Sequence, residues 1–386
     1  MKSSTPISLD KLKEKVIARV DSIGKRLIEI SDFIHSNPEL GCQELKACQI
    51  LTSELENHNI PVERGIAGFT TAFKAECRAR KQGPAIALIC EYDALPQMGH
   101  ACGHNIIAAT SLGAFLSVAE IIDELCGTVV LFGTPAEETV GAKIHMLRKG
   151  VFDGINAALM IHPSDENALG MKTLALDAIE FTFIGKAAHA AYAPHEGLDA
   201  LDAVLLFFNA INALREHVKA DARISGIITE AGVAPNIVPE RGVAKLYIRA
   251  MTRAYLNEVR EKVKFCAQGA ALSTGTRVEI KDFEEPLDEI KTDSRIAKFF
   301  KQNLRKLGIK NISTMKLIPV SSDFGNLSQK IPSLCASLAI APRGIVPHTR
   351  EFERAAISEK AHEAILLGAK ALGMTVIDLL TSSLCT

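Results

Sequence analysis

The chain has 386 residues, 47% of them hydrophobic, and its 44 Lys and Arg against 45 Asp and Glu leave a net charge of −1. That length predicts roughly two to three domains with more than one sizeable core, which excludes a mainly disordered chain. The near-neutral balance, 5% aromatics and absence of Trp argue against a nucleic-acid binder and against a membrane aromatic belt.

Residues 1–15 are polar and mixed in charge, without the apolar core of a signal peptide, so the expected compartment is the cytoplasm. Leu12, Val16, Val20, Ile23, Leu27, Ile30 and Ile34 recur at helical spacing and predict an amphipathic helix over 9–35, ended by Asn37-Pro38. A second helix fits 43–57. The continuous apolar run at 85–90 predicts a strand buried on both faces. A helix over 105–125, a strand over 127–132, a helix over 137–149 and a strand over 157–161 follow. This alternation implies an α/β fold with a mostly parallel sheet flanked by helices. The rhythm changes near Leu174. A strand (178–184), a helix (197–217), two strands (224–230 and 243–250), a helix (255–272) and a strand (276–282) form a β-α-β-β-α-β order, a self-contained split βαβ module. The expected organisation is an inserted α+β ferredoxin-like domain over 174–286, interrupting a larger domain made of 1–173 and 287–386. The greasiest window, 198–214, is broken by Asp199, Asp202, Asn209 and Asn212, and no stretch reaches the roughly 18 to 20 uninterrupted apolar residues of a spanning helix. Nine scattered Cys (42, 48, 77, 90, 102, 126, 266, 335, 385) lack repeated CxxC spacing and are expected to be mostly buried thiols.

Three strand ends carry residues suited to chemistry, at the edge where open α/β sheets place their sites. After the strand at 85–90 comes Glu91-Tyr-Asp-Ala-Leu-Pro-Gln-Met-Gly-His-Ala-Cys-Gly-His-Asn105. Cys102 and His104 flank Gly103, whose freedom lets both reach one metal ion; a chance Cys and His in a Gly-rich loop fits as well. After the next strand stand Glu137 and Glu138, adjacent carboxylates whose repulsion calls for a positive neighbour. They fit either a metal site or the solvated start of a helix. His162 ends a third strand, as a ligand or as a satisfied core residue. His348, in a Pro-flanked loop, precedes the last helix.

His-Ala-Cys-Gly-His-Asn at 100–105, Thr-Pro-Ala-Glu-Glu at 134–138, Met-Ile-His-Pro at 160–163, Ser-Ser-Asp-Phe-Gly-Asn at 321–326 and Pro-His-Thr-Arg-Glu-Phe at 347–352 resemble, in order and spacing, the di-metal aminoacylase and carboxypeptidase family. The likeness is closest to its amidohydrolase branch, which includes hippurate, indole-acetyl-amino-acid and aminobenzoyl-glutamate hydrolases, and it spans essentially the whole chain. The resemblance implies two divalent ions per chain, Zn²⁺ or Mn²⁺, bridged by the Cys102 thiolate and completed by His104, Glu138, His162 and His348. It implies Glu137 as general base and Asp93 as support for the metal site. His189 would stabilise the oxyanion, usually across a dimer, and Asn236 and Arg249 would hold substrate, although His189 also fits a surface loop and Arg249 a solvated strand end. Two departures stand out: Asn105 replaces the more common Asp, and Glu-Glu-Thr-Val-Gly141 replaces a glycine run. The His-Ala-Cys-Gly-His-Asn form, together with Glu-Tyr-Asp-Ala-Leu-Pro, shifts the likeness toward aminobenzoyl-glutamate hydrolases and β-alanyl dipeptidases. The implied function is hydrolysis of a small-molecule amide, namely an N-acyl amino acid, an aminobenzoyl-glutamate-like conjugate or a dipeptide, by a cytoplasmic homodimer paired through the inserted domain. Two alternatives are an aminohydrolase releasing ammonia from an aromatic amine and a silent binding subunit. The intact ligand set and Glu137 speak against the latter.

Overall fold

The computed structural model describes residues 8–382, the side chains of residues 316 and 317 excepted. Cys385 and residues 1–7 of the polar N-terminal stretch lie outside the described residues. The chain forms two compact units: one takes the chain up to Lys172, Ile290–Ile318 and the chain from Ser322 on, the other Thr173–Glu289 with Pro319–Ser321.

The first unit begins with α1 (Leu9–Ser36), α2 (Leu45–Asn57), β1 (Val62–Arg64), β2 (Phe73–Arg78), β3 (Lys81–Cys90) and α3 (His104–Ala119). It continues with β4 (Cys126–Gly133), α4 (Ala142–Arg148), β5 (Ala157–Ser164) and β6 (Met171–Lys172). The second unit is β7 (Ala175–Ile184), α5 (Ala200–Arg215), β8 (Arg223–Ala231), β9 (Arg241–Ala250), α6 (Arg253–Thr274) and β10 (Arg277–Asp282). The first unit then resumes with α7 (Ser294–Lys306), β11 (Lys316–Leu317), α8 (Phe324–Lys330), β12 (Ser333–Ala339), α9 (Arg350–Ala355) and α10 (Glu359–Thr381).

In the first unit a sheet of order β1-β2-β4-β3-β5-β12 is parallel from β4 through β12 and antiparallel at β1 and β2. Strand β3 shows why it sits at the centre. Ile86, Leu88 and Cys90 enter the core on one face, Ala87 and Ile89 the core on the other, and all are fully buried. Such a strand has no solvent face to alternate toward. Helix α3 is buried at every position from His104 to Val118, and a helix apolar all round belongs inside a core. Helix α10 is long and apolar enough to cross a membrane by length and composition, although Lys370 and Asp378 interrupt it, and 78% of that stretch is buried inside the protein, as in a core helix. One sequence expectation needs correction: the helix expected from residue 137 starts only at Ala142, so Glu137 and Glu138 occupy a loop and not a solvated first turn. Among the described cysteines, all free, only Cys48, Cys90, Cys102 and Cys335 are buried, and Cys42 is exposed.

The second unit is an antiparallel sheet of order β10-β7-β9-β8 whose core packs Phe181, Phe183 and Leu246 with Phe207 of α5 and Leu256 of α6. Its helices start where short side chains cap them: Asp199 accepts from the N–H of Leu201 and Asp202, and Thr252 from that of Tyr255. Strand β8 is outermost, with Ile227 and Ile228 exposed.

Candidate metal centre

Strands β4, β3 and β5 are parallel neighbours, so their carboxyl ends open on one edge of the first unit. Beyond β3 the chain passes Glu91 and Asp93, turns at Gly103 (φ +76°) and enters α3 at His104. A Cβ on Gly103 would meet Pro163 Cγ at 2.5 Å, which brings the Cys102 loop hard against the end of β5, where His162 stands. His348 lies between β12 and α9, with φ +65°, and its N–H donates to Ala101 O at 2.9 Å.

These side chains converge. In three overlapping sets, Cys102–His104–His162, Cys102–Glu138–His348 and His104–Glu137–Glu138, one ligand atom from each residue lies within 4.8 Å of the others. His104 Nδ1 is 2.9 Å from Asp93 Oδ1, and the other Asp93 oxygen accepts the Glu138 N–H at 2.9 Å. His162 Nδ1 pairs with Pro163 O at 2.8 Å, and its Nε2 lies 3.5 Å from Cys102 Sγ. His348 Nε2 is 3.1 Å from Glu138 Oε1. His104 Nε2 is buried and makes no hydrogen bond. An imidazole anchored through Nδ1 with Nε2 left bare is how a metal-binding histidine is held. A thiol, imidazoles and a carboxylate also form a donor set suited to divalent metal ions.

Electrostatics point the same way. Burial, then the nearby Glu138, Glu91 and Asp323, push Glu137 well above the usual carboxylate range against the pull of Lys143. Burial also raises Glu138, but the His348 hydrogen bond and the His104 charge outweigh it and leave its carboxyl lowered. Burial and Glu138 raise the Cys102 thiol. So much acidic and thiol character in one buried place accommodates cations, which would deprotonate the thiol outright. One cation is built in. Lys143 Nζ, fully buried, lies 2.8 Å from Glu91 and 2.6 Å from Asp323, and Asp323 also accepts the Lys143 N–H at 3.0 Å. Glu91 turns its other oxygen to within 3.6 Å of His104 Nε2. Sequence reasoning touched Glu91 and Asp323 only inside motifs and missed Lys143, because a lysine on a polar-apolar helix reads as exposed.

Asn105 donates to Ser31 Oγ at 2.9 Å and Ala356 O at 3.0 Å. An amide suits that place because a carboxylate has no proton for either bond. In the second unit His189 is exposed, and its Nδ1 accepts the N–H groups of Ala191 and Tyr192 at 3.3 and 3.1 Å. That assigns its proton to Nε2. Asn236 is its neighbour: Ala190 N–H donates to Asn236 O, and His189 bridges Ile237. Arg249 is not brought to them. It pairs with Leu176 near the other end of β9, roughly 25 Å along the strand at about 3.3 Å per residue, with its guanidinium 5.0 Å above the Tyr247 ring.

Residues 87–372 match the model of peptidase family M20/M25/M40, and the chain belongs to that family. It is a hydrolase of amide bonds, of the kind that acts on dipeptides or N-acyl amino acids. Among similar proteins, the human Xaa-Arg dipeptidase is 36% identical, the match covering 96% of this chain and 89% of that protein. A subunit of the p-aminobenzoyl-glutamate hydrolase of Escherichia coli is 29% identical over 94% of this chain and 91% of its own. Among solved structures, a putative aminohydrolase from methicillin-resistant Staphylococcus aureus superposes with a TM-score of 0.81 at 20% identity, covering 96% of this chain and all of that one. A dinuclear metal-binding peptidase of the M20 family from Bacillus subtilis gives 0.73 at 22% identity, covering 93% and 99%. Both show a shared fold.

Proposed function

We propose that this chain is a metal-dependent dipeptidase or aminoacylase that releases an amino acid from a dipeptide, an N-acyl amino acid or an aminobenzoyl-glutamate-like conjugate. The observation that carries the reading is that Cys102, His104, Glu138, His162 and His348 fall into overlapping sets of neighbouring ligand atoms, one of which includes Glu137. Those five residues, the Cys102 thiolate among them, would hold two divalent ions, Zn²⁺ or Mn²⁺. When bound, such ions polarise a carbonyl and lower the pKa of a bound water to about 7.

The chain supplies the rest. Glu137 takes the proton of the attacking water and returns it to the leaving amine; its raised proton affinity suits a group that must do both at neutral pH. Asp93 fixes His104 through Nδ1 and Glu138 through its N–H. His189, protonated on Nε2, is a donor for the oxyanion, an effect worth roughly 3 to 4 kcal/mol for one donor in other enzymes. Asn236 stands beside it to hold substrate; Arg249, at the far end of β9, would act on a different part of the ligand. The exposed edge strand β8, with Ile227 and Ile228 outward, supports pairing of two copies through the second unit, so that His189 serves the partner's site.

The test is a hydrolysis panel with added Zn²⁺ or Mn²⁺, spanning dipeptides with a C-terminal Arg or Lys, N-acetyl amino acids and aminobenzoyl-glutamate. The likeness to Xaa-Arg dipeptidases puts the first group in front. Release of free amino acid, abolished by a chelator and restored by metal, is the expected result. No turnover across the panel overturns the reading, and ammonia without an amino acid replaces it with the aminohydrolase.

A further inference from the structure

We propose that Glu44 is a positioning residue that fixes Glu137 through the strained backbone of Ala136; the inference rests on Glu137 being the proton carrier. Ala136 directly precedes Glu137 and adopts φ +58°, and Cys42 adopts φ +66°. Left-handed backbone is unfavourable for both, and persists only where the surroundings enforce it. One carboxylate oxygen enforces both. Glu44 is fully buried, and its Oε1 accepts the Ala136 N–H at 2.8 Å and the Cys42 N–H at 3.0 Å. Its Oε2 accepts the Thr71 hydroxyl at 2.8 Å. Glu44 stands at the N-cap of α2 yet makes no capping bond with its side chain, so its carboxylate is committed to the loop and not to its own helix.

Packing gives the same answer independently. A Cβ on Gly41 would meet Thr139 Oγ1 at 2.1 Å and Ala136 Cα and Cβ at 3.0 Å, so the turn before α2 lies directly on the catalytic loop. The same turn reaches the neighbouring strand end, where Ala94 N–H donates to Glu39 O at 2.8 Å. The far side of the loop is closed by Gly141 N–H on Ala136 O at 3.0 Å. Glu138 has its own anchors in Asp93 and His348, whereas Glu137 takes its direction from the backbone that Ala136 sets.

Five variants of the full chain test this: Glu44→Ala, Glu44→Gln, Gly41→Ala, the double variant Glu44→Ala/Ala136→Gly, and Glu137→Gln as reference. Each is measured for kcat, KM, bound metal per chain and melting temperature. Glu44→Ala is expected to lower kcat at least tenfold, with KM within about twofold and metal content retained. Glu44→Gln keeps an acceptor oxygen for both N–H groups and should stay within threefold of the parent. The double variant should recover much of the loss, since glycine takes the left-handed conformation without enforcement. Gly41→Ala should also lower kcat, and it carries the test alone should Glu44→Ala not fold. Unchanged kcat in both folded single variants, or a double variant no better than Glu44→Ala, overturns the proposal. If Glu137→Gln remains active, the assignment of Glu137 fails instead, which separates the two outcomes.

Discussion

Glu137 and Glu138 share a peptide bond but not an environment. The His348 and His104 partners keep Glu138 anionic against its burial, while burial and three other carboxylates drive Glu137 toward its protonated form. Two titratable neighbours pushed apart in this way suit the proposed division between a ligand and a proton carrier. His100, 1% exposed, shows the same physics with opposite sign: burial first, then the His104 and His35 charges, hold it down at about 3. Unfolded histidine titrates near 6.5. Between those values the unfolded chain binds a proton that the folded chain refuses, so acidification from about pH 6.5 toward 3 destabilises the fold. In metal-free protein, the drop in melting temperature from pH 7 to pH 4.5 is expected to be smaller for His100→Gln than for the parent; equal drops would contradict the burial argument. The candidate ligands were legible in the sequence because Cys, His and Glu stand at or in the loops beyond the ends of apolar runs. Lys143 and Glu44 were not, since nothing local separates a buried charge from a solvated one until the fold brings its partners.

At the scale of elements, the site is set by where strands stop and helices start. Gly103 makes the left-handed entry to α3 that places Cys102 and His104 on either side of the turn. Gly103→Ala adds a strained φ and a Cβ only 2.5 Å from Pro163, which together should cost about 2 kcal/mol or more and weaken metal retention. Thermal melts and chelator competition measure both, and an unchanged melt would contradict the close approach. The buried strand β3 and the second unit's β-α-β-β-α-β order were readable from apolar runs and turn residues. The late start of α4 was not: periodicity extends through Glu137 and Glu138, but the Glu44 hydrogen bond and left-handed Ala136 hold that stretch out of the helix. The short β1 and β2 lack a distinguishing pattern, and β2 exists through its antiparallel pairing with β4.

For the whole molecule, one sheet order explains why residues scattered from 93 to 348 share a site: β4, β3, β5 and β12 lie side by side and deliver their following loops to one edge. The proposed homodimer makes a further prediction about His189. Mixing inactive Glu137→Gln and inactive His189→Ala chains should restore activity in proportion to heterodimer, up to about half per dimer, because one composite site escapes both lesions. No recovery, with subunit exchange confirmed by mass, would place His189 in its own chain's site or outside catalysis. The central claim, that Glu137 moves protons while Glu138 binds metal, has a more direct measurement: metal per chain and turnover for Glu137→Gln beside Glu138→Gln. The account predicts parental metal content with turnover down roughly 10²- to 10⁴-fold for Glu137→Gln, and lost metal for Glu138→Gln. Metal lost from Glu137→Gln and retained by Glu138→Gln would contradict it.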